Sequence, residues 1–299
     1  MAHTKTFSHG HGVSNVNMDI NMDVDSNLMS RIKANKQFSI YSALVVLIIL
    51  VAIFAPWLAP QDPLVGEMKN ALQTPSAEHL LGTDKMGRDT LSRIICGTQT
   101  SLFMTICLVV LVAVVGTFVG TMAGYFGGKI EMVLMRFTDM MLSFPGIVLA
   151  IAIAGIMGGS VINTILALCV VSWAKYARLV RSLVLKIRNQ DFITAAQLCG
   201  TSTKMIIWQH ILPNTLPMVV ITAAMDIGTM MMEIAGLSFL GFGAQPPTPE
   251  WGLMLNEGRQ YIQTAPWLMV YPGMAIFIVV AIFNLWGDSL RDILDPRQT

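Results

Sequence analysis

The chain has 299 residues, a formal net charge of +1, 54% hydrophobic residues and 12% charged residues. A soluble domain carries roughly twice that charge, so the bilayer is the solvent of most of this chain, and nothing in its charge points to a nucleic-acid partner. Four cysteines, Cys96, Cys107, Cys169 and Cys199, lie far apart without a CxxC pair, which argues against zinc, redox and disulfide frameworks and leaves them as small apolar fillers.

Residues 1–37 form a polar tail rich in Ser, Asn, Asp and His, expected to be disordered and cytoplasmic. Its His3, His9 and His11 form a weak candidate metal tract, although a solvated tail is the simpler reading. The first apolar run begins near Ile40, too late and too long for a cleaved signal. Six apolar segments are present, at about 40–58, 100–124, 138–158, 161–177, 216–240 and 267–287, so the fold expected is all-α and integral to the membrane. Pro145 and Gly146 predict a kink in the third segment. Of the 19 Lys and Arg, only Lys69, Lys85, Arg88, Arg93 and Arg259 fall outside if the N-terminus is inside. Both termini are therefore expected to be cytoplasmic, with loop 178–215 inside and loops 59–99 and 241–266 outside. The expected organisation is tail 1–37, first helix and external loop 38–99, a five-helix core 100–287 and a cytoplasmic tail 288–299.

Several chemistries lack their residues. GYFGGKI at 124–130 has the wrong spacing for a Walker A loop, and no Ser or Thr follows Lys129. No HExxH or GxSxG is present, and no histidine pairs with a nucleophile. The chain is expected not to be an enzyme, so uphill transport needs a partner or an ion gradient.

Asp191–Pro213, DFITAAQLCGTSTKMIIWQHILP, is a polar, helix-forming island among the spans. Ala195, Ala196 and Gly200 make a low-relief surface that another protein can approach closely. Arg181, Lys186, Arg188 and Lys204 surround it, and Pro213 is expected to stop the helix before the fifth span. An amphipathic helix lying on the membrane is the alternative.

This segment resembles the EAA loop of ABC importer permeases. Ala195, Ala196, Gly200, Leu212 and Pro213 match, while Thr194 replaces the Glu and His210 the Ile. HLLGTDKMGRD at 79–89, LSFLG at 237–241, PPTPEWG at 246–252 and GDSLRDILDP at 287–296 resemble further motifs of the second, C-type permease of dipeptide, oligopeptide and nickel importers. The likeness covers about residues 38–297. It implies a type I importer permease in the bacterial cell membrane. Such a subunit works with a second homologous permease, two cytoplasmic ATPases that bind ATP and Mg, and an external binding protein. Thr194, Ala195, Ala196, Gly200, His210, Leu212 and Pro213 are then the ATPase-coupling residues.

Three acids fall in or near spans. Asp226 and Glu233 are seven residues apart and share a helix face with Met230 between them, a stripe suited to lining a path for a cationic cargo; helix packing is the alternative. Asp139 is a further path candidate, or one half of an i,i+3 pair with Arg136. MMMEIAGLSFLG carries no acid at Ile234 and resembles the nickel branch, which leans the cargo towards nickel or a metal chelate over a dipeptide. Proline-stiffened external loops, with Asp84, Arg88, Asp89 and Trp251, are expected to dock the binding protein. A proton-coupled secondary transporter using Asp226 and Glu233 is the alternative from another class.

Overall fold

The computed structural model describes residues 36–294; His3, His9 and His11 lie outside them. Among the described residues the architecture is helical, with one isolated bridge between Thr83 and Asp89. Helix α1 (Lys36–Leu58) exposes Ile40, Val46, Leu50, Ile53 and Trp57, an apolar surface that suits lipid. Helix α2 (Thr90–Phe126) starts ten residues earlier than the second apolar segment. The reason is Asp89, whose carboxylate accepts the Ser92 N–H at 2.8 Å and caps the helix. The expected boundary at 99/100 therefore falls inside a helix. At 1.5 Å per residue α2 is about 55 Å long, well beyond a ~30 Å hydrocarbon layer, so part of it stands clear of the bilayer.

The kink expected at Pro145 and Gly146 is a 92° break between two helices, α3 (Gly128–Ser143) and α4 (Gly146–Met157), and α3 starts ten residues before the third apolar segment. Pro145 cannot donate a backbone bond and forces Phe144 into extended geometry (φ −92°, ψ 146°). Helix α5 (Val161–Arg188) starts at Ser160, which caps Asn163, and runs past the expected end at 177. A short α6 (Asp191–Leu198) precedes α7 (Thr203–Phe239), then α8 (Trp251–Gly258) and α9 (Trp267–Leu294). Among the described residues four helices, α1, α2, α7 and α9, are long and apolar enough to cross a membrane, and the bent α3–α4 pair, taken as one span, would bring the number to five. Helix α5 is not among them, because Lys175 and Arg178 interrupt its apolar run.

The core forms where α2 meets α5. Gly116, Gly120 and Gly124 recur every fourth residue, so they share one face of α2. A Cβ at Gly120 would stand 2.6 Å from the Ala177 carbonyl oxygen, and one at Gly124 would stand 2.8 Å from Val184 Cβ. The two backbones touch along three turns, as in the small-residue interfaces of membrane helices. Leu108, Val112, Val180, Val184, Ile193, Ile206, Ile211 and Leu237 pack around this seam. A second cluster, with Val45, Trp251, Met254 and Phe283, joins α1, α8 and α9.

Gly120→Val is expected to destabilise the protein by about 1–3 kcal/mol through overpacking. Thermal unfolding of the detergent-solubilised protein measures this; an unchanged midpoint would refute the α2–α5 contact.

Candidate functional site: a charged cavity, an exposed hairpin and a braced loop pair

A cavity of about 160 Å³ lies between the α3–α4 junction, α5 and α7. Asp226, Met230 and Glu233 line it together, as their spacing on one face requires, with Thr229 beside them. Across from them α5 contributes Ser172 and Lys175, and Leu168, Val171 and Ile147 form an apolar wall. Lys175 Nζ donates to both Asp226 oxygens, at 2.7 and 2.9 Å. The Lys side chain is 61% exposed and the Asp side chain only 12%, so the ammonium sits on the open side of the pair. Lys175 is not recognisable in the sequence because orientation counting places it in a cytoplasmic segment, and its partner is 51 residues away. The stripe is therefore less acidic than Asp226 and Glu233 alone imply. Asp139 does not line this cavity, and its partner is corrected from Arg136 to Arg178 on α5, at 2.7 Å. Both groups of that pair are more than half exposed, so its contribution to stability is small.

The segment 191–213 forms a helical hairpin. Gly200 ends α6 with φ +78°. Thr201 N–H donates to the Ala196 oxygen at 3.1 Å and Gly200 N–H to the Gln197 oxygen at 3.0 Å, the two bonds of a left-handed helix terminator. Thr194 and Ala195 are exposed and Ala196 half-buried, and Leu198, Met205 and Trp208 project outward. Ile193, Ile206 and Ile211 are buried and tie the hairpin to the core. The His210 ring meets Phe192 edge-on at 6.0 Å, closing the hairpin. Pro213 does not stop a helix: α7 runs through it. A π-helical stretch, Ile207–Ile211, leads into Leu212 and Pro213, and its wider turn accommodates a residue without an N–H. Arg181 is also redirected: its Nε donates to Glu131 at 2.7 Å, whereas Lys186 and Lys204 remain exposed.

At the other end of the helices, the loop before α2 is braced against α8. Asp84 Oδ1 accepts the Met86 and Arg88 N–H groups, at 2.8 and 3.0 Å, while its other oxygen binds Arg88 Nε at 2.6 Å. Arg93 reaches Glu257 at 3.1 Å and the Pro63 and Pro247 oxygens at 3.3 and 3.2 Å. Asp89 holds His79 Nδ1 at 3.1 Å besides capping α2. Trp251 is 2% exposed, with its indole N–H on the Ile94 oxygen at 3.0 Å and its ring against Gly97. Asp84, Arg88, Asp89 and Trp251, expected as a docking face, are thus interior. They hold the loops in shape and do not project from them. Glu250 caps α8 through the Gly252 and Leu253 N–H groups, although burial pushes its carboxyl above the usual range.

Residues 116–299 match the family model of the binding-protein-dependent transport system inner membrane component, and residues 27–75 match the N-terminal TM domain of oligopeptide transport permease C. The chain belongs to this family of importer permeases. The dipeptide transport system permease protein DppC of Alkalihalophilus pseudofirmus is 45% identical over 268 residues, covering 90% of this chain and 88% of the relative. The nickel transport system permease protein NikC of Escherichia coli strain K12 is 40% identical over 265 residues, covering 88% and 96%. The glutathione transport system permease protein GsiD of Escherichia coli O6:K15:H31 is 45% identical over 254 residues, covering 85% and 84%. Among solved structures, the inward-facing MetNI methionine ABC transporter aligns with a TM-score of 0.56 at 21% identity, covering 69% of this chain and 98% of that one. That likeness concerns the fold.

The permease is thus a multi-pass membrane subunit of a family that works with separate ATPases and binding proteins. The permease's glycine stripe on α2 is missed by motif reading, although its signal, Gly at every fourth residue of an apolar run, is plain in the sequence.

Arg93→Ala in this permease removes one partner of a buried ion network and is expected to cost about 3–5 kcal/mol. A melting midpoint within a degree of wild type would show that the brace carries no load.

Proposed function

We propose that this chain is one of two homologous permeases in a bacterial cell-membrane importer. It would cross the membrane six times, counting α5 and the bent α3–α4 pair, with both termini cytoplasmic. The hairpin 191–213 is the surface on which an ATPase acts, with ATP and Mg held by two such partner subunits. The loops around α8 and the segment before α2 form a rigid rim facing an external binding protein. The observation that supports the reading most directly is the hairpin's exposed apolar patch, Leu198, Met205 and Trp208, anchored to the core by buried isoleucines. A patch of that kind needs a protein or membrane partner, and family membership favours the ATPase. Family membership also sets aside the proton-coupled alternative.

The cavity residues bear on cargo. The Met230 and Glu233 stripe favours nickel or a metal chelate, and Lys175 favours a solute that also carries a carboxylate. A dipeptide or a chelate brings its own ligands and both signs of charge. A bare nickel ion needs several protein ligands, and among the described residues no three His, Cys, Asp or Glu side chains come together. A dipeptide-class cargo is the reading the cavity supports best, with a metal chelate second.

Reconstitution with the partner subunits tests both points. ATP-driven uptake of a labelled dipeptide exceeding that of nickel is expected, and uptake that persists without the ATPases would refute the importer reading. Gly200→Glu, which puts a charged side chain on a left-handed residue at the hairpin's turn, is expected to reduce ATP-driven uptake to background while membrane insertion is retained. Normal uptake by that variant would remove the hairpin from the coupling role.

A further inference from the structure

We infer that Lys175 recognises the carboxylate of the cargo, and that its cavity is a station for a small zwitterion. The inference rests on the cavity being part of the translocation path, as proposed above. An ammonium group has three donors. Asp226 takes two, which leaves one for a ligand in the cavity without breaking the pair. The exposed position of the Lys side chain relative to Asp226 makes that donor reachable. Glu233 lines the same cavity and makes no ion pair among the described residues. It lies two helical turns from Asp226, about 10 Å along α7. The termini of an extended dipeptide are up to ~7 Å apart, and a charge-assisted hydrogen bond of about 2.8 Å at each end extends that reach to roughly 12 Å with the Lys175–Asp226 pair intact. A cargo ammonium at Glu233 and a cargo carboxylate at Lys175 satisfy both groups at once. The Ser172 and Thr229 hydroxyls lie on the same lining and supply neutral donors and acceptors between the two charges. A purely structural pair would need only Lys175 and Asp226. Glu233 in the same cavity, with no ion-pair partner of its own, is what turns the pair into a ligand-reading set.

Replacing Lys175 alone strands Asp226 as an uncompensated charge and confounds recognition with folding. The double variant Lys175→Met with Asp226→Asn removes both charges and separates the two roles. With the full complex in proteoliposomes, kcat/KM for ATP-driven dialanine uptake is expected to fall at least about tenfold, the scale of one charge-assisted hydrogen bond, while ATP hydrolysis by the assembled complex persists. Lys175→Arg is expected to retain uptake. In complexes without the binding protein, the wild type is expected to bind dialanine more tightly than its C-terminal amide, and the double variant to bind both alike. Uptake by the double variant within twofold of wild type, or equal binding of dialanine and its amide by the wild type, would overturn the inference while leaving the importer reading intact. No ATP-driven dialanine uptake by the wild-type complex would instead remove the cargo reading beneath it.

Discussion

The contact between α2 and α5 sets the positions of the cavity, the hairpin and their ion pairs in this permease. In a bilayer, lipid tails compete with side chains for every apolar surface, so helices associate mainly through close packing. Gly116, Gly120 and Gly124 remove the side chains that would hold the helices apart, and the Ala177 and Val184 turns of α5 sit directly on the α2 backbone. With α5 held at that distance, Lys175 faces α7 and reaches Asp226, and Arg178 and Arg181 reach Asp139 and Glu131 on α3. The same helix delivers the chain to α6 through Asn189 and Gln190, so the hairpin follows directly on the cavity wall.

Charge is distributed differently at the two ends of the bundle. Around α8, Asp84, Arg88, Arg93 and Glu257 form a nearly solvent-free network. Its value lies in holding two loops in one geometry, since the desolvation of buried ions offsets much of their attraction. In the cavity, Lys175 is accessible and Glu233 has no ion-pair partner among the described residues. The first arrangement suits a scaffold; the second suits a site that exchanges partners. The hairpin adds a third kind of surface, apolar and exposed, on a helix that continues through a π-turn and Pro213 into the cavity wall. A push on the hairpin therefore has a continuous helical route to Asp226 and Glu233.

Features set by local rules are legible in the sequence. The hairpin is visible through its Ala and Gly spacing and its family resemblance. The common face of Asp226, Met230 and Glu233 comes from helical periodicity. Features set by distant partners are not legible. Asp139 pairs with Arg178 on α5, 39 residues away in sequence, and not with Arg136 three residues before it. Lys175 reads as an orientation signal until α7 is placed beside it. Trp251 reads as a docking residue on an external loop, yet Gly97 leaves a slot that its indole fills. Pro145 reads as a kink and Pro213 as a helix stop. In the structure the helix breaks at Pro145 and runs through Pro213, and the π-turn that leads into Pro213 has no sequence signature of its own.

The most direct measurement concerns the cavity during transport. A photo-cross-linking residue at Thr229, which lines the cavity, would be compared with one at Val133, an exposed apolar position on α3, in the reconstituted complex with labelled cargo. If the cavity is the path, cargo adducts form at position 229 and increase severalfold when ATP and the binding protein are both present, and position 133 stays unlabelled. Equal labelling at the two positions, or labelling at 229 that ignores ATP, would contradict it.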